Sequence, residues 1–323
     1  MRGTIDCWLL RSDRIVPTQG VPAEVEYHRV YAGEKRQILR GIAAIVLLVA
    51  GLIVFAQLCQ AAASMIDTRF LGRTGLSPLT QAAGAFSLAL LIPYSMLLQR
   101  WLYGQPAGSL HSVAGHFRFG VFGRSLLAFG PFLVIVMSVG FLLTPDDTIP
   151  WSTADLVAYF IISMTLIPLA AAGEEYGFRG LMFRVLGSWT RGSLSGAILG
   201  ITVTTVLFSL FHGSLDPYIL GSYLVLFGAM AIITWRTGGL EVAVVLHGVY
   251  NVSALALATT LHLDVGGDLS SRSEIAGTPT NLVPSAGIAV ITAIVWWTTR
   301  KSSAAHTPES VNANPVTGGI GDA

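Results

Sequence analysis

The sequence predicts an all-α fold: a polytopic transmembrane bundle of about eight helices. Three observations carry that prediction. First, hydrophobic residues make up 53% of the chain and charged residues only 11%, whereas a soluble domain carries about 25% charge. So few charges cannot cover a water-facing surface, and the same figures exclude disorder, collagen and a coiled coil. Second, the chain holds eight apolar runs near the roughly 20 residues that cross a bilayer. Third, the basic residues alternate between connections. Sixteen of the 19 Lys/Arg fall on the side of the two termini, and only Arg69, Arg73 and Arg272 fall on the other. By the positive-inside rule both termini are cytoplasmic.

The elements follow in order. Residues 1–40 are polar, hold seven Lys/Arg and read as a cytoplasmic N-terminal tail. Anionic-lipid contact is a secondary use for such a tail. The first apolar run, 41–63, is too long for a signal-peptide core and leads into further spans, so it reads as a retained anchor. Runs 81–98 and 124–144 complete an N-terminal unit, 41–150. Ser152 and Asp155 have capping-box spacing ahead of an overlong run, 153–187. Run 194–212 follows, with Gly192, Gly196 and Gly200 at four-residue spacing as expected helix-packing positions. Asp216-Pro217 reads as N-cap and first residue of the helix over 217–235. Gly238-Gly239 breaks the chain before 240–260. An outer loop and the last helix, 283–299, occupy 261–301. Trp296 and Trp297 beside Arg300 and Lys301 read as its interfacial anchor. Residues 302–323 read as a disordered tail. Cys7 and Cys59 are too few for a disulfide framework. A net charge of +1 gives no reason to expect nucleic acid.

Ionisable groups inside a span are costly, so each is a functional candidate. Three clusters stand out: Glu174-Glu175 with Arg179 late in 153–187, Phe208 with His212 closing 194–212, and His247 with Asn251 in 240–260. Glu175 and Arg179 are four residues apart, so an ion pair along one helix face is available. Glu174 points about 100° away from Glu175 on the 3.6-residue helix. One carboxylate can therefore face a cavity while its neighbour is held by arginine. His247 and Asn251 share a face, and so do Phe208 and His212. Three helices thus offer a carboxylate, two imidazoles and a carboxamide. Peptide hydrolysis needs such a set: a base for water, and donors for the tetrahedral oxyanion. Other uses of these residues stay open. A carboxylate with two histidines can bind zinc, although HExxH is missing. Intramembrane acids and histidines also serve transporters, and a non-enzymatic scaffold or immunity protein is a further possibility.

The three clusters, in this order and on separate spans, resemble the CPBP family of intramembrane glutamic endopeptidases. That family includes the type II CAAX prenyl endopeptidases and bacterial relatives linked to bacteriocin processing and immunity. Its pattern is EExxxR, then FxxxH, then HxxxN or HxxxD. Here it reads Glu174-Glu175…Arg179, Phe208…His212 and His247…Asn251. The resemblance makes 151–260 the protease core. It implies Glu174 as general base on water, aided by His212, and His247 with Asn251 as oxyanion donors. It implies Glu175, Arg179 and Phe208 as supports, and no metal or other cofactor. Expected partners are membrane lipids and a membrane-associated protein or peptide substrate. The expected setting is a bacterial plasma membrane.

Chain counting at 1.5 Å per residue gives Glu174 and His212 similar depths from the cytoplasmic turns, with His247 shallower. The expectation is that the four groups converge at middle depth, His247 within about 10 Å of Glu174, close enough for hydrogen-bond chemistry. The cavity they share is expected to open to the cytoplasm.

Overall fold

A computed structural model describes residues 7–10, 18–143, 148–265 and 275–309. Arg272, one of the three basic residues expected on the far side, lies outside these residues. Among the described residues the fold is all-helical, and eight helical stretches are long and apolar enough to cross a membrane. No named strand occurs among the described residues, only isolated bridges.

Helix α1 spans Ile38–Ile66 and ends in a π turn, Asp67–Leu71. The next span is two helices, α2 (Pro78–Ala89) and α3 (Leu91–Tyr103). Pro93 has no N–H to give the Ala89 carbonyl, which suits the break between them. Helix α4 covers Phe119–Leu143. Helix α5 (Thr153–Glu175) starts where the Ser152 hydroxyl accepts the Asp155 N–H at 3.1 Å. It runs without a stop through a π-helical stretch, Tyr176–Met182, into α6 (Phe183–Gly187). The overlong run is therefore one 35-residue helical span. Helix α7 covers Ser193–Phe211, and α8 (Pro217–Thr237) is capped by Asp216, which accepts from Tyr218 and Ile219. Gly238 takes φ of 64° to end α8, a left-handed conformation that costs glycine nothing. Helix α9 covers Glu241–Thr260, and α10 covers Leu282–Thr299.

Helix α5 packs between α2 and α9, α9 also packs on α4, and α8 lies between α7 and α10. Close approaches hold these contacts together. A Cβ on Gly196 would strike the Gly187 carbonyl, and one on Gly200 would strike the Phe183 ring. Gly192 does not belong with them. It is the extended N-cap of α7, where an added Cβ would meet only the Ser195 hydroxyl. Leu39, Leu58, Leu127, Leu142 and Phe160 point outward and exposed. An apolar perimeter of this kind suits hydrocarbon rather than water. The protein is an integral, multi-pass membrane protein.

The end of the bundle nearest the termini is sealed. Within the N-terminal tail, the described residues from 18 to 37 pack on the helices. The Tyr27 hydroxyl donates to the Leu110 carbonyl at 2.6 Å. Arg29 donates to the Gly187 and Thr190 carbonyls at 2.6 and 2.9 Å, satisfying acceptors that the end of α6 leaves open. Buried Arg118 pairs with buried Glu241 at 2.7 Å. Residues 302–309, expected to belong to a disordered tail, are held by hydrogen bonds. Thr307 donates to the Val25 carbonyl at 2.8 Å, and Glu24 donates back to Thr307 at 3.1 Å. Arg236 binds the Thr299 and Ser302 carbonyls. The anchor at the end of α10 includes Arg300 stacked 3.2 Å from the Trp297 ring centroid. Residues 310–323 lie outside the described residues.

Candidate active site

Glu174 and Glu175 end the α-helical part of α5 and part company there, as their spacing predicts. Glu175 is fully buried. Its Oε1 accepts from Arg179 Nη1 at 3.1 Å and from His247 Nδ1 at 2.8 Å. The i, i+4 pair survives although the helix widens to a π turn beyond Glu175. Arg179, also fully buried, donates to the Phe227 carbonyl at 3.3 Å. Its guanidinium lies 4.6 Å from the Phe208 ring centroid and 5.0 Å from that of Phe227. Stacking on aromatic faces suits a weakly hydrated guanidinium in an apolar interior.

Glu174 keeps some exposure and meets the same histidine from the other side, its Oε2 lying 3.4 Å from His247 Nε2. The two glutamates thus address opposite nitrogens of one imidazole. His212 follows α7 directly, and its Nδ1 lies 2.7 Å from the Phe208 carbonyl. A carbonyl only accepts, so Nδ1 carries the hydrogen and Nε2 of the neutral ring is an acceptor. The His212 ring lies 4.7 Å from both Tyr223 and Phe227 and 4.9 Å from Phe208. Phe208 and Phe227 also border His247, at 6.2 and 6.0 Å. One aromatic cluster therefore seats both imidazoles.

A cavity of about 750 Å³ is lined by Glu174, His212, His247 and Asn251 together. Glu175, Arg179 and Phe208 stand behind its wall. The structure thus gathers every predicted site residue, and His247 falls well inside the expected reach of Glu174. It also adds residues that the motifs did not name. Tyr223 and Phe227, one turn apart on α8, and Tyr250 on α9 line the same cavity. Tyr250 sits inside the His247…Asn251 interval and could have been suspected. The α8 pair lies in an unmarked apolar run. Among the described residues, no group of three or more His, Cys, Asp or Glu is placed to hold a metal ion.

The cavity lining runs away from the described terminal segments. Away from Glu174 the lining continues through Leu76 and Gln81 at the start of α2, Leu263 and Val265 after α9, and Thr280 before α10. All of these belong to the end of the bundle opposite the termini. The physical reason is the seal described above, in which Tyr27, Leu110, Val113, Phe183 and Leu240 form one buried cluster at the terminal end.

The fold and site together define a helical membrane protein with a buried acid–histidine centre. Residues 154–253 match the family model described as Type II CAAX prenyl endopeptidase Rce1-like, a stretch that holds all seven predicted site residues. No match was found among curated proteins, and none among solved structures. Over this segment the chain is similar to the type II CAAX prenyl endopeptidases, which supports a place in the CPBP family and a CAAX-type intramembrane protease in general.

Proposed function

We propose that the chain is a glutamic endopeptidase that hydrolyses peptide bonds of membrane-associated proteins or peptides with a water activated by Glu174. The observation that carries this reading is the 3.4 Å approach of Glu174 to His247 at the wall of a cavity large enough for a peptide. Glu174 takes a proton from water as the water oxygen bonds to the scissile carbonyl carbon. The acceptor Nε2 of His212 orients that water. The carboxamide of Asn251 donates to the developing oxyanion. His247, with Nδ1–H held by Glu175, joins it when Nε2 also carries hydrogen. As the tetrahedral intermediate collapses, the C–N bond breaks and the proton on Glu174 passes to the leaving amine. Glu175 and Arg179 touch no substrate in this scheme; they fix the His247 ring.

The reading is metal-free. Glu175 is committed to Arg179 and to His247 Nδ1, and Glu174, His212 and His247, though they share the cavity, are not close enough together to form a three-ligand zinc site among the described residues. Purified protein is expected to cleave after exhaustive chelation, and stoichiometric zinc lost together with activity would overturn this. Comparing membrane-protein termini in cells with wild-type protein and with Glu174→Ala tests the activity and names substrates. New termini that depend on Glu174 are expected, and identical termini in both would sink the reading.

A further inference from the structure

Sidedness follows from two independent features of the molecule. The spans alternate, so residues 72–77, 212–216, 261–265 and 275–281 lie at one end and the described segments nearest the termini at the other. Contacts between connections agree. Arg73 pairs with Asp155, and Thr148 bridges to Leu263, at the first end; Ser112 bridges to Gly239, and Glu26 to His306, at the second. The cavity is lined from Glu174 outward by the first end alone. The basic residues collect at the second. Arg118, Arg179, Arg184 and Arg236 are buried and serve internal partners. Setting them aside still leaves the excess of positive charge on the side of the termini.

We propose that the cavity receives its substrate from the extracytoplasmic face, as an extended peptide segment of an exported or membrane-anchored protein. This rests on the proteolytic reading above and adds the substrate's side and class. A prenylated C-terminus presented in the cytoplasm would meet the sealed end. There, Tyr27 is bonded to Leu110, Arg29 covers the end of α6, and Arg118 is locked to Glu241. The cavity's polar groups at its other end, Gln60, Gln81 and Asn281, offer amide donors and acceptors to a peptide backbone arriving from outside.

The test uses the full chain in a bacterial membrane with Cys7 and Cys59 replaced by serine. Single cysteines are placed at Thr74 and Thr280 on the cavity end and at Glu34 and Lys301 on the other. A membrane-impermeant maleimide is expected to label T74C and T280C in intact cells, and E34C and K301C only after permeabilisation. The reverse pattern overturns the proposal. A second arm supplies a quenched peptide, derived from any Glu174-dependent cleavage site, to sealed vesicles. Cleavage is expected in right-side-out vesicles without detergent. Cleavage confined to inverted vesicles overturns the proposal. Absence of cleavage even in detergent defeats the proteolytic reading, while the labelling still decides the side.

Discussion

Glu174 and Glu175, adjacent in the chain, contact the Nε2 and Nδ1 atoms of His247 at 3.4 and 2.8 Å. One carboxylate is buried against the ring and Arg179, and the other stands at the cavity wall, where the proposed function makes it the base. This division of labour gives each glutamate its own mutational signature.

Glu174→Gln keeps the shape of the side chain and removes the base. General-base catalysis contributes about 10²–10⁴-fold, so cleavage is expected to fall by at least ~100-fold. Substrate capture and the thermal unfolding midpoint in detergent should stay near wild type. A variant that cleaves within tenfold of wild type would remove Glu174 from the reaction.

Arg179→Ala should act on stability first. It leaves the Glu175 carboxylate buried with His247 as its remaining charged or imidazole contact. Breaking a buried pair from one side costs about 3–5 kcal/mol. Adding Glu175→Gln to that variant removes the orphaned charge and should restore part of the loss in a thermal melt. No recovery in the double variant would argue that Arg179 acts through its aromatic stacking instead.

Asn251→Ala is expected to lower turnover by about 10²–10³-fold, the usual effect of deleting one oxyanion donor, with little change in KM. A loss seen mainly in KM would place Asn251 in ground-state binding.

Gly173→Ala should disturb the site without touching a reactive group. A Cβ at Gly173 would overlap the Leu88 carbonyl of α2, a backbone atom that cannot rotate away. Overpacking costs about 1–3 kcal/mol, and the shift falls on the residue next to Glu174. Both the melting midpoint and cleavage should drop; unchanged values would show that α2 and α5 can part freely.

Acid should loosen the terminal end through His28. Burial holds this imidazole below its ordinary 6.5, against the opposing pull of the Ser193 carbonyl and Glu26. The folded state therefore binds fewer protons than the unfolded chain near that pH. Its full contribution is present above about pH 6.5, the unfolded value, and stability is lost as the pH falls below it. His28→Phe, which keeps a ring against Phe183, should flatten the slope of melting midpoint between pH 7 and pH 5. An unchanged slope would assign it to other groups.

The site was legible in the sequence because its logic is local. Glu175–Arg179, Phe208–His212 and His247–Asn251 are each four residues apart on a helix, so their faces follow from the helical period. Scarcity of charge drew attention to them. The overlong run 153–187 also read correctly, because nothing in it stops a helix. What escaped depends on distant partners. Arg29 finds its acceptors at Gly187 and Thr190, far along the chain, so residues 18–37 looked like a free tail. Gly192 has the spacing of Gly196 and Gly200, yet it sits before the first turn of α7. The π stretch after Glu175 has no clear residue signature. That the cavity lining runs toward the end opposite the described terminal segments was not legible, because the packing at the other end is built from segments with no periodic pattern.

The pairing of Val25 and Glu24 with Thr307 also bears on the order of events during synthesis. The Glu24–Val25 segment is made before its hydrogen-bonding partner, which follows some 280 residues later. The terminal end of the bundle can therefore close only after α10 has been inserted. A chain stopped at Thr299 would retain all four cavity-lining groups and lose the latch. Such a chain would leave the Glu24 and Val25 backbone groups without these partners, so the closing of the terminal end is tied to the making of its last residues.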